Sequence, residues 1–317
     1  MPSYINVGSY ESMCDKRFDG KRLTSENALV YCNTEQTLDF FRLCRNKKAK
    51  YILVSACSDF GLHYQAESHP NKDLIKMVNR VVWKDIQDVT DKYVSLKISS
   101  IVEDNCKSSD IYSVKVDSIT NHTFTEIPEN IVRWYSTNVN ITHPKVVMLP
   151  FGVNDQGEGC KIVPNYRKQM VDKIDKIYIN FQDYTSQRIY LKQYFKDKDF
   201  VTFRKDKVHV SEFYEELSKH KFVLCPFGNG LDCYRIYETL IVGSIPIVQE
   251  SVFASNLVKL GLPCIIIDDF YKINEATMNQ LIKICDSKTL DFDETLLTKM
   301  TEEFWREEFI KAKAELL

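Results

Sequence analysis

The sequence predicts an α/β protein that contains two domains with parallel β-sheets. The length of 317 residues gives room for about two domains with cores of their own. In the second half, short apolar runs alternate with helical patterns, which is the order of a doubly wound parallel sheet. The stretch 154–167 contains glycine, proline and polar residues with little periodicity, as linkers do. We therefore expect an N-terminal domain over 1–153 and a C-terminal domain over 164–317.

Short apolar runs predict the strands of the first half. The clearest is Lys50–Ala56, and the sequence that follows places Asp59 in a loop at a strand's carboxyl end. Other strands are predicted over Ser3–Val7, Ala28–Cys32, Tyr93–Ile98, Asp110–Val116, Ile131–Tyr135 and Lys145–Leu149, and helices over Thr34–Cys44 and Asp73–Val81.

The second half has a more regular pattern. Strands are predicted over Lys176–Phe181, Phe200–Phe203, Phe222–Cys225, Ile245–Val248 and Pro263–Ile267. Helices are predicted over Gln187–Phe195, Val210–His220, Cys233–Val242, Val252–Leu260 and Glu275–Cys285. The tail Glu294–Leu317 predicts one long amphipathic helix that packs against the C-terminal sheet.

The stretch Phe222–Val248 has the order strand, Gly-rich turn, helix, Gly and strand. The turn at Gly228–Gly230 suits positive φ angles, and Asp232 stands where an N-cap belongs. Gly243 is expected to end the helix in a left-handed conformation. A βαβ unit of this kind brings its turn and helix N-terminus to the carboxyl end of the sheet, where open α/β sheets bind ligands.

Two charged residues of this helix suggest a ligand. Arg235 and Glu238 are three residues apart, so both project from one helical face near its N-terminal end. An arginine beside free helix amides suits a diphosphate, and a glutamate one turn further can accept from two ribose hydroxyls. The alternative is an ordinary surface ion pair between the two residues.

The same stretch resembles the nucleotide-sugar-binding motif of exostosin-like glycosyltransferases, including related xylosyltransferases. The matching residues are Pro226, Gly228, Arg235, Glu238, Gly243 and Pro246, whereas Thr239 and Ile247 stand where that family has Ala and Val. The resemblance implies a GT-B architecture, in which two Rossmann-like domains face each other across a cleft. The last helix of such enzymes often crosses back to the N-terminal domain, so the alternative for the tail is that Trp305 touches the seam between the domains. The resemblance also implies a sugar-nucleotide donor in the C-terminal domain and inverting transfer without an obligatory metal.

Further donor contacts are implied by the resemblance in the segment after Lys176–Phe181. Asn180 ends this strand, and Thr185, Ser186 and Arg188 follow in a hydroxyl-rich segment that faces the donor phosphates in the family. Thr185 or Ser186 is equally suited to cap the next helix. The complete predicted donor set is Asn180, Thr185, Ser186, Arg188, Gly228, Asn229, Gly230, Asp232, Arg235 and Glu238.

Inverting transfer needs a general base that takes the proton of the acceptor hydroxyl. In a GT-B arrangement this base comes from the N-terminal domain. Asp59 is the first candidate because a loop acid at a strand end would point into the cleft, and His63 is the second. Most loop acids are solvated and inert, which is the alternative for both.

Composition excludes several other classes. The net charge of −2 does not favour nucleic-acid binding. The ten cysteines form no C-x-x-C pair or Cys/His cluster, so no zinc site is predicted. No run is apolar and long enough for a signal peptide or a membrane span, so we expect a cytoplasmic protein. The expected partners are a nucleotide-sugar donor and a glycan acceptor.

The combined hypothesis is an inverting, metal-independent glycosyltransferase that moves a sugar from a nucleotide-sugar, such as UDP-xylose, to a carbohydrate hydroxyl. One alternative is a metal-dependent GT-A transferase that uses a D-x-D string, either Asp197–Asp199 or Asp291–Asp293. Neither string follows an apolar strand, which favours chance. The other alternative is a non-catalytic module that binds sugar nucleotides or glycans.

Overall fold

The computed structural model describes residues 3–56, 95–97, 113–115, 127–139, 142–154, 159–183, 186–204, 208–228, 230–286 and 294–317. The strands in these ranges form two five-stranded sheets, in which every pairing is parallel, and one small antiparallel pair. The predicted α/β class with two parallel sheets is confirmed. The predicted helix Asp73–Val81 lies outside the described residues.

The strands, in chain order, are β1 Lys16–Arg17, β2 Ala28–Asn33, β3 Tyr51–Ala56, β4 Ser95–Lys97, β5 Ser113–Lys115, β6 Ile131–Ser136, β7 Val146–Met148, β8 Ile174–Ile179, β9 Val201–Phe203, β10 His220–Leu224, β11 Ile245–Gln249 and β12 Ile265–Ile267. The helices are α1 Thr37–Cys44, α2 Gly159–Ile162, α3 Ser186–Phe195, α4 Val210–Ser218, α5 Tyr234–Ile241, α6 Val252–Leu260, α7 Glu275–Asp286, α8 Glu294–Leu297 and α9 Glu302–Ala312.

The first sheet has the order β1-β2-β3-β6-β7. Its central strand β3 is buried at every residue, as a parallel strand covered on both faces must be. The strand expected over Ser3–Val7 does not form, and Tyr4 makes a single bridge to Thr301. Asn6 explains the difference, because it accepts hydrogen bonds from the Gly8 and Ser9 amides and so stabilises a turn.

The second sheet has the order β12-β11-β10-β8-β9. The chain leaves β8 towards one edge of the sheet and leaves β10 towards the other. The boundary between these neighbouring strands is therefore a topological switch point, where the loops after the two strands diverge and open a crevice. The strands of the first sheet come from residues 16–148 and those of the second from 174–267.

The turn before α5 differs in part from its prediction. Cys233 is the N-cap and makes no side-chain capping bond, so the N-cap predicted at Asp232 is wrong. Gly228 has no positive φ; its missing Cβ instead leaves space for Arg188, whose Nη2 would lie 3.1 Å from such an atom. Gly243 is confirmed as the left-handed residue after the helix, with φ of 80°.

The C-terminal tail is not one helix, and its last part packs as the alternative predicted and not against the C-terminal sheet. Thr298–Met300 forms a 3-10 turn between α8 and α9, and the Thr301 hydroxyl caps α9 by accepting from the Phe304 amide. This cap starts a new helix, which explains the break. Trp305 and Phe309 then pack in a cluster with residues of the first sheet. The tail thus returns to the N-terminal half of the chain.

Among the residues that the structure describes, no helix combines the length and the apolar character needed to cross a membrane.

Candidate functional site

A cavity of about 650 Å³ opens beyond the carboxyl ends of β8 and β10, at the switch point of the second sheet. Four segments line it: 151–154 after β7, 180–188 after β8, 208–214 at the start of α4, and 228–238 at the start of α5. Parallel strands carry their carboxyl ends to one side of the sheet, so residues distant in sequence meet here.

Arg235 is held at the wall of this cavity by aromatic contacts. Its guanidinium lies 5.7 Å from the ring centre of Phe181 and 5.9 Å from that of Phe213. Nη2 donates to the Asn180 carbonyl oxygen over 2.7 Å. Within the described part of the chain, the buried Nε has no hydrogen-bond partner. Arg235 is therefore orientated while retaining donors for a further acceptor, such as a phosphate oxygen.

Glu238 lies one turn further along α5 and is 6% exposed. Its Oε1 accepts from the Tyr214 hydroxyl over 2.9 Å. Burial raises the pKa of Glu238, whereas the Tyr214 hydroxyl, the charge of Arg235 and the Asn154 backbone N–H each lower it. Since a carboxylate has about four acceptor positions, Glu238 retains capacity for ligand hydroxyls after these bonds.

Arg188 lines the cavity and is bonded to its wall, while its predicted contact with the donor phosphates stays a prediction. It is 5% exposed, and its Nε and Nη2 donate to the carbonyl oxygens of Phe227 and Pro226 over 2.7 and 3.1 Å. The side chain also donates to the Gln182 carbonyl oxygen. These bonds connect the loop after β8 with the loop after β10, so Arg188 fixes the shape of the cavity wall.

Asp232 lines the cavity, but its carboxyl group is directed at other parts of the protein. Oδ2 accepts from the Phe151 backbone N–H over 2.9 Å and from the Tyr237 hydroxyl over 2.8 Å. Burial raises the pKa of Asp232 to about 8, against the lowering effect of those two hydrogen bonds and of one from the Cys233 backbone N–H. This engagement is why the residue does not cap α5.

The structure brings together Asn180, Arg188, Gly228, Gly230, Asp232, Arg235 and Glu238 around one cavity. Of the other predicted donor residues, Ser186 begins α3, and Thr185 and Asn229 lie outside the described residues. Asp59 and His63, the candidates for the general base, also lie outside them. Their roles stay predictions.

Sequence reasoning missed the residues that reach the cavity from other elements. Tyr214 has the spacing of an ordinary core residue of α4, and nothing in the sequence indicates that its hydroxyl meets Glu238. Phe151 and Asn154 lie at the predicted domain boundary, where a linker was expected. The Pro150–Gly152 turn after β7 is the signal that these residues stand at a strand's carboxyl end.

Across the described ranges, no group of three His, Cys, Asp or Glu side chains is arranged to hold a metal ion.

Comparisons with known proteins point to the same part of the chain. Residues 163–268 match the family model described as the RXYLT1 C-terminal domain. A stretch of 47 residues is 38% identical to human ribitol-5-phosphate xylosyltransferase 1. That stretch is 15% of this chain and spans 11% of the human protein's length. The family-model match covers the strands of the second sheet and agrees with the xylosyltransferase resemblance of the α5 motif.

Solved structures of glycosyltransferases show weak overall similarity. The glycosyltransferase SnogD from Streptomyces nogalater has a TM-score of 0.36 and 11% identity, with 90% of this chain and 72% of that chain covered. The calicheamicin glycosyltransferase CalG4 has a TM-score of 0.35 and 10% identity, with 90% of this chain and 74% of that chain covered. Scores this low carry no argument, and the fold is defined here by strand order and pairing.

Proposed function

We propose that this protein is a glycosyltransferase that binds a nucleotide-sugar donor in the cavity at the switch point of the second sheet. One observation carries the proposal. Arg235 and Glu238 line a single cavity with Gly228 and Gly230, at the side of a parallel sheet where nucleotides bind. The family-model match over 163–268 includes these four residues, and the name of the human relative supports xylosyl transfer.

In the proposed complex, Arg235 and the turn at Gly228–Gly230 bind the diphosphate. Arg235 is suited to this role because it is orientated by two aromatic rings and makes one hydrogen bond within the described residues. Glu238 binds the ribose hydroxyls. As the sugar leaves, negative charge grows on the diphosphate, and Arg235 stabilises that charge together with the α5 amides.

The proposed donor is a UDP-sugar, with UDP-xylose as the first candidate, and the proposed acceptor is a carbohydrate hydroxyl. The name of the human relative, a xylosyltransferase that acts on ribitol-5-phosphate, supports a pentose. The reaction is proposed to invert the anomeric centre without a metal ion, with Asp59 as the general base and His63 as the second candidate. Inversion without a metal ion is what the resemblance of the α5 motif to exostosin-like glycosyltransferases implies.

Isothermal calorimetry of UDP and GDP, each with and without chelator, tests the donor site. We expect UDP to bind the wild type and Glu238→Ala to weaken binding by about tenfold to a hundredfold, since charge-assisted hydrogen bonds are lost. Glu238→Gln keeps the side chain's shape and is expected to lie between the two. Glu275→Ala, which removes an exposed glutamate of α7, is the matched control and should bind like the wild type.

The outcomes separate the alternatives. Equal affinity in the wild type and Glu238→Ala, or binding of neither nucleotide, would contradict the donor site. Loss of binding in chelator would favour a metal-dependent transferase. Binding without hydrolysis or transfer of UDP-xylose or other UDP-sugars, unchanged in Asp59→Asn and His63→Ala, would favour a non-catalytic module.

A further inference from the structure

The carboxyl group of Asp232 lies where three segments meet. Its Oδ2 accepts from the Phe151 amide in the loop after β7 and from the Tyr237 hydroxyl on α5. Its backbone N–H donates to Asn138 Oδ1 over 2.9 Å in the loop after β6. One residue at the start of the helix that carries Arg235 and Glu238 is thus bonded to the ends of two strands of the first sheet.

Both partner loops are themselves firmly held. Asn138 is fully buried and has a φ of 53°, a left-handed conformation that asparagine tolerates better than most residues. Beyond Phe151, Gly152 packs so closely that an added Cβ would lie 2.1 Å from the Ile5 carbonyl oxygen. The Val153 amide donates to that same oxygen over 3.0 Å. The loops therefore offer a fixed surface against which α5 is aligned.

Asp232 is 3% exposed, and its hydrogen bonds from Phe151 and Tyr237 both end on one carboxyl oxygen. Oδ1 is buried and has no hydrogen-bond partner among the described residues. Burial raises the pKa of Asp232 to about 8. The titratable groups that face it are Tyr10, Cys233 and Tyr237, and burial raises the pKa of each, so they stay neutral near pH 8. Burial therefore opposes ionisation of Asp232, whereas the Tyr237 hydroxyl and the backbone N–H groups of Phe151 and Cys233 favour it.

We propose that Asp232 is a positioning residue that holds the start of α5 against the two loops of the first sheet and so aligns Arg235 and Glu238. It acts through those side chains and not by contact with the ligand. The inference rests on the proposed function only for the choice of UDP as reporter. Because burial in the bonded arrangement favours the protonated carboxyl group, raising the pH towards 8 weakens the hold on the two loops, and the donor site loses its alignment.

The experiment compares the full-length wild type, Asp232→Asn and Tyr237→Phe between pH 6.5 and 9. Hydrogen exchange is measured at the amides of Phe151 and Asp232 and corrected for the intrinsic rate at each pH. It reports, without any ligand, how firmly Asp232 is bonded to the two loops. Calorimetry with UDP reports alignment of the donor site. Asp232→Asn keeps the shape of the side chain and removes its ionisation, and ionisation of UDP is common to all three proteins.

We expect exchange at both amides to rise in the wild type between pH 6.5 and about 8 and to level off above it, and UDP affinity to fall by about fivefold or more over the same range. In Asp232→Asn both profiles should be flat by comparison. Tyr237→Phe removes a hydrogen bond that lowers the pKa of Asp232, so its transition should move to higher pH.

Parallel exchange profiles in the wild type and Asp232→Asn would overturn the proposal. So would different exchange profiles with an identical pH dependence of UDP affinity, because Asp232 would then be only a structural residue. If no protein binds UDP, the proposed function fails, and exchange alone decides the inference. A pH-driven opening at the start of α5 that Asp232→Asn removes would still support it.

Discussion

The carboxyl ends of the two parallel sheets carry different chemistry in the residues that the structure describes. In the first sheet, Ser55 and Ser136 are fully buried neighbours on β3 and β6, and the indole of Trp134 donates to Ser55. In the second sheet, the charged side chains of Arg235 and Glu238 border an open cavity. Among the described residues, this end of the first sheet carries neutral hydrogen bonds, and the end of the second presents charge to a ligand.

This difference shows what topology contributes and what side chains add. Both sheets are five-stranded and parallel, so each could offer a crevice beyond its strand ends. The binding chemistry comes from the residues that follow the strands. Buried hydroxyls that hydrogen-bond to one another stabilise the fold. A charged group suits a charged ligand when part of its hydrogen-bonding capacity is free.

The largest effect is expected from Trp305→Ala, which tests how far the first sheet depends on the C-terminal tail. Trp305 is 2% exposed and packs edge-on against Tyr10 and Tyr135, with ring centres 6.3 Å apart in both pairs. Its Nε1 donates to the Lys299 carbonyl oxygen. We expect the free energy of unfolding to fall by about 3–5 kcal/mol, measured by urea denaturation.

Ile310→Ala is the matched control, because Ile310 lies on the same helix and is 64% exposed. Ile310→Ala should change the free energy of unfolding by no more than about 0.5 kcal/mol. UDP affinity of Trp305→Ala below its unfolding temperature should equal that of the wild type. Equal stability of the two variants would show that the tail does not support the first sheet.

Much of the fold follows from local sequence, and the tail shows where that ends. The β3 strand and the α6 helix are predicted within one residue, because an apolar run and a helical stripe are local signals. The surface against which Trp305 packs is not a local property. An amphipathic stripe shows that a helix buries one face, but the partner depends on where the chain returns in space.

The candidate site was predictable to the extent that it lies on one element. Arg235 and Glu238 follow from the spacing in α5 and the Gly turn before it. The Phe151 amide donates to Asp232, and the Asp232 amide donates to Asn138. These bonds join residues 81 and 94 positions apart, and no pattern along the chain encodes them. The N-cap prediction at Asp232 is wrong for this reason.

The second prediction compares two arginines of the same cavity. Arg188→Ala leaves the carbonyl oxygens of the cavity wall without their charged donor, and we expect it to lower the free energy of unfolding by about 3 kcal/mol. Arg235→Ala should cost about 1 kcal/mol, since Arg235 makes one hydrogen bond within the described residues. UDP affinity should instead fall by about tenfold to a hundredfold. Denaturation and calorimetry measure the two quantities.

Arg306→Ala, which removes an exposed arginine of α9, controls for the change in net charge and should alter neither quantity. The reverse pattern, with Arg235 needed for stability and Arg188 for affinity alone, would contradict the roles assigned to these two side chains.

The smallest effect is expected at Ser55 and Ser136, near the carboxyl end of the first sheet. Ser55→Ala leaves the buried indole N–H of Trp134 without its acceptor at 2.8 Å, which should cost about 2 kcal/mol of unfolding free energy. Ser136→Ala should cost about 1 kcal/mol, because Ser55 still accepts from Trp134. Ser255→Ala, at an exposed hydroxyl of α6, is the control.

Urea denaturation of the two single variants and the double variant measures the coupling between Ser55 and Ser136, which donate and accept over 2.8 Å. None of these variants should change UDP affinity. If Ser55→Ala is fully folded but binds UDP more weakly, the end of the first sheet at Ser55 and Ser136 also contributes to the donor site. The contrast between the two sheet ends would then be one of degree, because a neutral hydrogen-bond network would be acting on a charged site through the loops that Asp232 joins.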